Sequence, residues 1–307
     1  LEDTSMRRRI VLGALIVVGA LSIAVAAQRG GTPAADGPRV VELDKISDTL
    51  YVAKGGGGNT AVFLTAGGVV LVDTKLPGWG QPLLDKVKTI SNRPVTMVIN
   101  THTHFDHTSG QLEFPGSIEV VAHENTRTNM LKMEDYKKPE NAKVLPKRTF
   151  KDRLSVGSGS DRIDLYYFGP GHTNGDAWIA FPAQRVVHAG DIFAGKQVPL
   201  VDMGNGGSGV AYPDTLMKTY KGISNVDTII TGHANATLRW GDLKEYADFN
   251  AEFLNWVRAE MKAGKTPEQA AAEYKVPDRF KGYGTDLPPF FGGMPGYIKG
   301  MYGELRR

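Results

Sequence analysis

Apolar and polar positions alternate along this chain in short runs broken by glycine, then give way to one long stretch with helical spacing. Leu50-Tyr51-Val52-Ala53, Thr60–Thr65 and residues 69–72 read as strands, separated by Lys54-Gly55-Gly56-Gly57-Gly58-Asn59 and Ala66-Gly67-Gly68. Residues 79–90 have helical spacing and stop before Pro94. Val95-Thr96-Met97-Val98-Ile99-Asn100 has the apolar, β-branched character of a buried strand, 118–122 is another strand, and 124–133 reads as a helix. Further strands are expected at 162–168, 177–181, 185–189 and 227–230, with a helix at 213–223. Residues 243–262 then place Phe249, Phe253, Trp256, Val257 and Met261 on one helical face. Thr266 is the expected N-cap of a short helix running to Tyr274, and the irregular apolar segment 288–297 reads as a strap over the body.

Strand–helix alternation occurs twice with no Pro- or Ser-rich linker between the halves, which predicts one domain of two similar layers over 41–240. Residues 241–307 are expected to pack on that same domain. A chain of 307 residues, 41% hydrophobic, can bury a substantial core. Its net charge of +3 owes much to Arg7-Arg8-Arg9 and Arg306-Arg307, so no nucleic-acid surface is expected.

Those first arginines precede an uncharged apolar run, 10–27, that contains Ala24-Val25-Ala26. This is the layout of an export signal, with 1–5 as an upstream extension and 28–40 as a linker. The expectation is a periplasmic or secreted protein that meets a membrane only through this segment, as an anchor if it is retained. There are no cysteines, so every site must be built from nitrogen and oxygen ligands.

Thr101-His102-Thr103-His104-Phe105-Asp106-His107 concentrates three of the chain's seven histidines at the C-terminal end of a predicted strand. α/β folds place their chemistry there. Alternate side chains share a face in extended chain, so His102 and His104 can grip one ion. Asp106 and His107, after the turn, can reach a second. Three later segments repeat a simpler pattern of apolar strand, glycine and ligand-type residue: Gly171-His172, Gly190-Asp191 and Gly232-His233. Together they supply enough donors for two ions and a bridging carboxylate. His188 and His123 lack this context and read as core or structural histidines. Gly55 to Gly58 lack the surroundings of a phosphate cradle and read as a flexible loop between strands.

The order H-x-H-x-D-H, G-H, G-D, G-H resembles the metallo-β-lactamase fold superfamily over about 43–234. The resemblance implies an αβ/βα sandwich of two mixed β-sheets with outer helices and the site along one edge. By position, it implies that His102, His104 and His172 hold one metal, Asp106, His107 and His233 a second, and that Asp191 bridges both. Asp73, ending the run Val69-Val70-Leu71-Val72, matches the family's strand-end aspartate and would orient the site from behind.

Two cations sharing a water generate hydroxide near neutral pH, which suits hydrolysis. Asp106 is the residue expected to orient that nucleophile and pass its proton on. Two Zn2+ are the first expectation, with manganese or iron as alternatives suited to the carboxylates. The thiolate-bearing β-lactamases of the family carry a cysteine that this chain lacks, and its thiol-free β-lactamases lack a bridging aspartate. Asp191 is instead similar to the glyoxalase II, lactonase, ribonuclease Z and phosphodiesterase branches, and an export signal argues against cytosolic glutathione-thioester or tRNA substrates. The expected activity is cleavage of a small-molecule ester, lactone, thioester or phosphodiester, with β-lactam hydrolysis as an alternative. A mononuclear iron dioxygenase acting on persulfides is the alternative of another class, and it would not need Asp106, His107 and His233 as ligands. A metal-stabilised binding protein without catalysis is a third. Pocket walls are expected from the 55–59 and 193–210 loops, where Lys196 is a weak candidate for pairing with a substrate anion. The sequence carries no signal for an oligomeric state.

Overall fold

Strand β4 (Gly68–Val72) is buried along its whole length, and its alternating side chains feed two different cores. Val70 and Val72 point into the space between two sheets, while Val69 and Leu71 point outward against Leu83 and Val87 of the helix Gly80–Lys88. A strand covered on both faces has no polar side, which is why it appears as a continuous apolar run. In the computed structural model, which describes residues 38–289 and 292–307, this pattern repeats across a two-sheet sandwich. The export-signal segment, 28–37 of the linker, and Phe290 and Phe291 lie outside the described residues.

The first sheet has seven strands in sequence order: β1 (Glu42–Lys45), β2 (Leu50–Lys54), β3 (Thr60–Thr65), β4, β5 (Val95–Asn100), β6 (Glu119–His123) and β7 (Arg148–Phe150). Pairing is antiparallel from β1 to β4 and parallel from β4 to β7. The second has six strands in the order β13 (Leu238–Arg239), β12 (Thr228–Thr231), β11 (Val186–Gly190), β10 (Trp178–Phe181), β9 (Ile163–Tyr166) and β8 (Arg153–Val156). Only β11 and β12 run parallel in this sheet. Phe63 and Phe181 meet edge to face at 5.1 Å between the sheets, among Val52, Val72, Ile99, Leu165, Ile179 and Ile230. Such a ring pair contributes about 1 kcal/mol beyond its buried area.

The outer face of the second sheet is covered by the helices Tyr212–Gly222 and Trp240–Lys262, through Leu216, Leu243, Phe249, Phe253 and Val257. Thr266 caps the next helix, Pro267–Glu273, and shares a capping box with Gln269. Beyond it the strap expectation needs correcting: Gly293–Leu305 is a helix despite its glycines and Pro295. Low intrinsic propensity is overridden by packing, because Tyr297, Ile298, Met301 and Tyr302 enter the same core as Phe253. The helix expected over 124–133 ends at Met130, and a separate turn of helix, Glu134–Lys137, follows. Among the described residues no helix is long and apolar enough to cross a membrane.

Two parallel pairs, β4–β5 and β11–β12, end at one edge of the sandwich. Their continuations are Asp73, Thr101 to His107, Asp191 and His233. Strand polarity therefore brings distant segments to one cleft.

Candidate metal centre

His102, His104, His107 and His172 are each turned by a hydrogen bond on the far nitrogen. Asp73 receives the Thr101 N–H on Oδ1 at 2.8 Å and the Thr101 hydroxyl on Oδ2 at 2.7 Å. With that proton committed, Thr101 Oγ1 accepts from His102 Nδ1 at 2.9 Å. Asp73 also accepts from His107 Nδ1 at 2.8 Å. His172 Nδ1 donates to the Leu200 carbonyl at 2.7 Å, and His104 Nε2 donates to Asp202 Oδ2 at 2.7 Å. These bonds fix the tautomers and aim the opposite nitrogens, as lone pairs, into the cleft.

The inward atoms form two groups. His102, His104, His172 and Asp191 offer one ligand atom each within 4.8 Å of one another, and Asp106, His107 and His233 do the same. Asp191 stands between them. Its Oδ2 lies 3.9 Å from His102 Nε2, 3.8 Å from His172 Nε2 and 3.2 Å from His233 Nε2, and its Oδ1 lies 3.1 Å from His107 Nε2. Asp106 Oδ2 is 3.3 Å from His233 Nε2 and 3.6 Å from His107 Nε2.

The chemistry of the donors fits a cation in each group. His102 Nε2 is buried with no hydrogen-bond partner, and a buried lone pair left unmatched is costly. Burial lowers the His102 imidazole well below its ordinary range, and that of His172 to about 4, so both stay neutral and ready to ligate. The second group has the opposite bias. The Asp191 carboxylate raises His233 to about 10 despite burial. Burial also opposes charge on His107, yet Asp191, Asp106 and Asp73 raise it well above its ordinary value. Burial alone would raise Asp191, but His233 and His107 hold it well below the usual carboxylate range. Positive charge is favoured at this place, and a metal ion would supply it.

Local backbone geometry explains the glycines. Gly190 has φ +56°, which turns the chain sharply from β11 into Asp191. Gly232 is needed for closeness instead: a Cβ there would lie 1.9 Å from Asp191 Oδ1. Asp73 and Lys75 are non-glycine residues at φ +66° and +83°, a conformation that persists only when the surroundings enforce it.

The remaining histidines have structural partners. His188 Nε2 donates to the Asn59 carbonyl at 3.0 Å and its Nδ1 accepts from Gly190 N–H. His123 bonds the Lys151 carbonyl at 2.8 Å, caps the helix Glu124–Met130 and stacks on Tyr167. Lys196, weighed as a substrate contact, is committed to Asp242 at 2.8 Å and Glu245 at 3.4 Å, tying its loop to the helix Trp240–Lys262.

Sequence reasoning missed three buried or half-buried partners. Asp202 lies 98 positions from His104 and had no local signal beyond its place in a predicted wall loop. Asp176 takes the Thr173 N–H and hydroxyl, and burial raises its carboxyl to about 7. Lys75 is fully buried, with Nζ 2.5 Å from the Ala53 carbonyl and 2.6 Å from the Gly58 carbonyl.

A two-sheet sandwich with an imidazole–carboxylate edge site defines a class of metal-dependent proteins. A model of the metallo-β-lactamase superfamily matches residues 53–233, and the chain belongs to that superfamily, whose members are generally metal-dependent hydrolases. Its sequence is 27% identical over 207 residues to a type 2 metallo-β-lactamase of Elizabethkingia meningoseptica, covering 63% of this chain and 78% of that protein. Its fold is similar to a metallo-β-lactamase from Pontibacter korlensis, with a TM-score of 0.59 and 20% identity over 69% of this chain and 99% of the other. It is also similar to a stereoselective inverting sec-alkylsulfatase from Pseudomonas sp., at a TM-score of 0.69 and 17% identity. That likeness covers 86% of this chain and half, 50%, of the sulfatase.

Proposed function

We propose that this protein is an exported hydrolase that uses two metal ions, zinc in the first instance, to cleave an ester, lactone, thioester or phosphodiester. The observation that carries the reading is the position of Asp191, one carboxylate at 3.8–3.9 Å from two imidazoles of the first group and at 3.1–3.2 Å from two of the second. His102, His104, His172 and Asp191 would hold one ion, and Asp106, His107, His233 and Asp191 the other. Bound cations would supply Lewis acidity and a water acidified toward neutral pH.

The residues supply the rest. Asp73 locks His102, through Thr101, and His107 in the ligating tautomer. Asp106 is half-buried, and its carboxylate would take the proton of the attacking water and return it to the leaving atom. Electrostatic pull from His107 and His233 outweighs burial and holds its carboxyl down to about 2, so it enters the reaction as a carboxylate.

β-Lactam cleavage is the second reading, favoured by the 27% identity to a type 2 metallo-β-lactamase. A turnover screen of the zinc-loaded protein against an ester, a lactone, a thioester, a phosphodiester, an alkyl sulfate and a β-lactam separates these substrates. Two metal ions per chain and turnover of one of them are expected. One iron per chain, no zinc and no hydrolysis would sink the proposal in favour of an iron oxidoreductase.

A further inference from the structure

We infer that Lys75 is a positioning residue that clamps the glycine loop 55–58 onto the Asp106–His107–His233 half of the centre, so that retention of the second cation depends on its side-chain N–H groups. The inference rests on the two-cation reading above.

Lys75 is 0% exposed, and a buried lysine is rare unless something specific holds it. Its Nζ lies 2.5 Å from the Ala53 carbonyl and 2.6 Å from the Gly58 carbonyl, at the two ends of the loop. The backbone beside it is tied to the same region: Leu76 N–H donates to Gly56 O at 2.8 Å, and Gly110 N–H donates to Lys75 O at 2.9 Å. The left-handed φ of +83° costs about 1 kcal/mol in a non-glycine residue, and here it aims the side chain under the loop. An amine keeps two N–H groups after losing a proton, so both carbonyls stay bonded in either protonation state.

The loop in turn rests on the second group of donors. Gly58 N–H donates to Asp106 O at 3.0 Å, and a Cβ on Gly58 would lie 2.1 Å from the His107 ring. Asn59 N–H donates to Gly232 O at 2.7 Å, while its side-chain amide donates to the carbonyls of Thr231 and Ala234 at 2.9 Å, on either side of His233. One segment therefore spans all three second-group residues. Gly55 to Gly58 have no side chains to anchor them, and glycine loses more conformational freedom on ordering than any other residue. Lys75 supplies the missing anchor from beneath. None of these contacts reaches His104 or His172, so the dependence is confined to one half of the centre.

The test is titration of metal-free protein with Co(II), following the visible bands and metal content of the parent, Lys75→Met and Lys75→Gln. Methionine keeps the volume and removes both donors, and glutamine keeps two N–H groups on a shorter arm. In Lys75→Met the second cation is expected to bind at least about tenfold more weakly, the scale of a lost outer hydrogen bond, with the first within about threefold of the parent. Lys75→Gln is expected to fall between the two, a rescue that a merely space-filling lysine would not give. Equal weakening of both cations, or an unchanged second cation, overturns the clamp. If Lys75→Met does not fold, the same criterion applied to Lys75→Gln decides. A parent that binds a single cation refutes the two-cation reading itself, which is a separate result.

Discussion

His104 Nδ1 and His172 Nε2 face each other across 2.9 Å, each with its other nitrogen already donating, to Asp202 and to the Leu200 carbonyl. Two imidazole nitrogens at that separation need a proton or a metal ion to pair them, and a bound metal ion would meet both. A metal ion is therefore expected to stabilise the fold. Zinc at a thousandfold excess over its dissociation constant adds about 4 kcal/mol. Calorimetric melting should rise on zinc addition and fall with a chelator, and a midpoint indifferent to both would show that the imidazole pair is no ligand set.

Asp191→Ala removes the one carboxylate shared by both groups. Metal analysis should show weakened occupancy of both positions, with turnover lost in parallel. Unchanged content and rate would mean that Asp191 bridges nothing.

Asp202→Ala should act on one side only. Its Oδ2 accepts from His104 Nε2 at 2.7 Å and takes the Asn205 side chain at 2.7 Å, so its loss frees the His104 ring to rotate. Affinity for the first cation is expected to drop about 10- to 100-fold, with the second unaffected. Competition with a chromophoric chelator reads both constants.

Lys196→Ala should lower stability by about 1 kcal/mol, through the lost Asp242 contact, and leave KM unchanged. A KM raised tenfold at unchanged stability would instead make Lys196 a substrate contact.

His188 sets a pH dependence of stability. Burial lowers its imidazole from 6.5 to about 4, so the unfolded chain takes up the proton first as pH falls. Stability from this group is complete above about pH 6.5 and is lost between there and pH 4. At pH 5 the loss amounts to about 2 kcal/mol. From denaturant titrations, the stability lost between pH 7.5 and pH 5 should be smaller in His188→Gln than in the parent by that amount. An identical loss would show that His188 takes up its proton alike in the folded and unfolded chain.

Most of the sandwich was legible because each buried strand is short, apolar and bounded by glycine or a turn. The strands expected at 60–65, 69–72 and 95–100 are β3, β4 and β5 within a residue. Edge strands were harder. β1, β7 and β8 carry charged residues on exposed faces, and β13 has two residues, so none shows a clear period of two. The final helix was hidden by its glycines and Pro295, since its stability comes from docking Tyr297, Ile298 and Met301 rather than from its own composition.

Residue by residue, the sequence alone limited which side chains could serve as ligands: with no cysteine, only imidazoles and carboxylates remain, in the 101–107 cluster and after the glycines at 171, 190 and 232. It also determined that the strands are apolar enough to be buried on both faces. The tertiary structure decided how those ligands are oriented. Asp73, Asp202 and the Leu200 carbonyl select the tautomers, and Lys75 supports a loop that lies over Asp106 and His107. The reason is physical. Ligand identity is a local chemical property written in each residue, whereas a lone pair's direction depends on hydrogen bonds to partners as much as 98 positions away, which come into being only when the two sheets close.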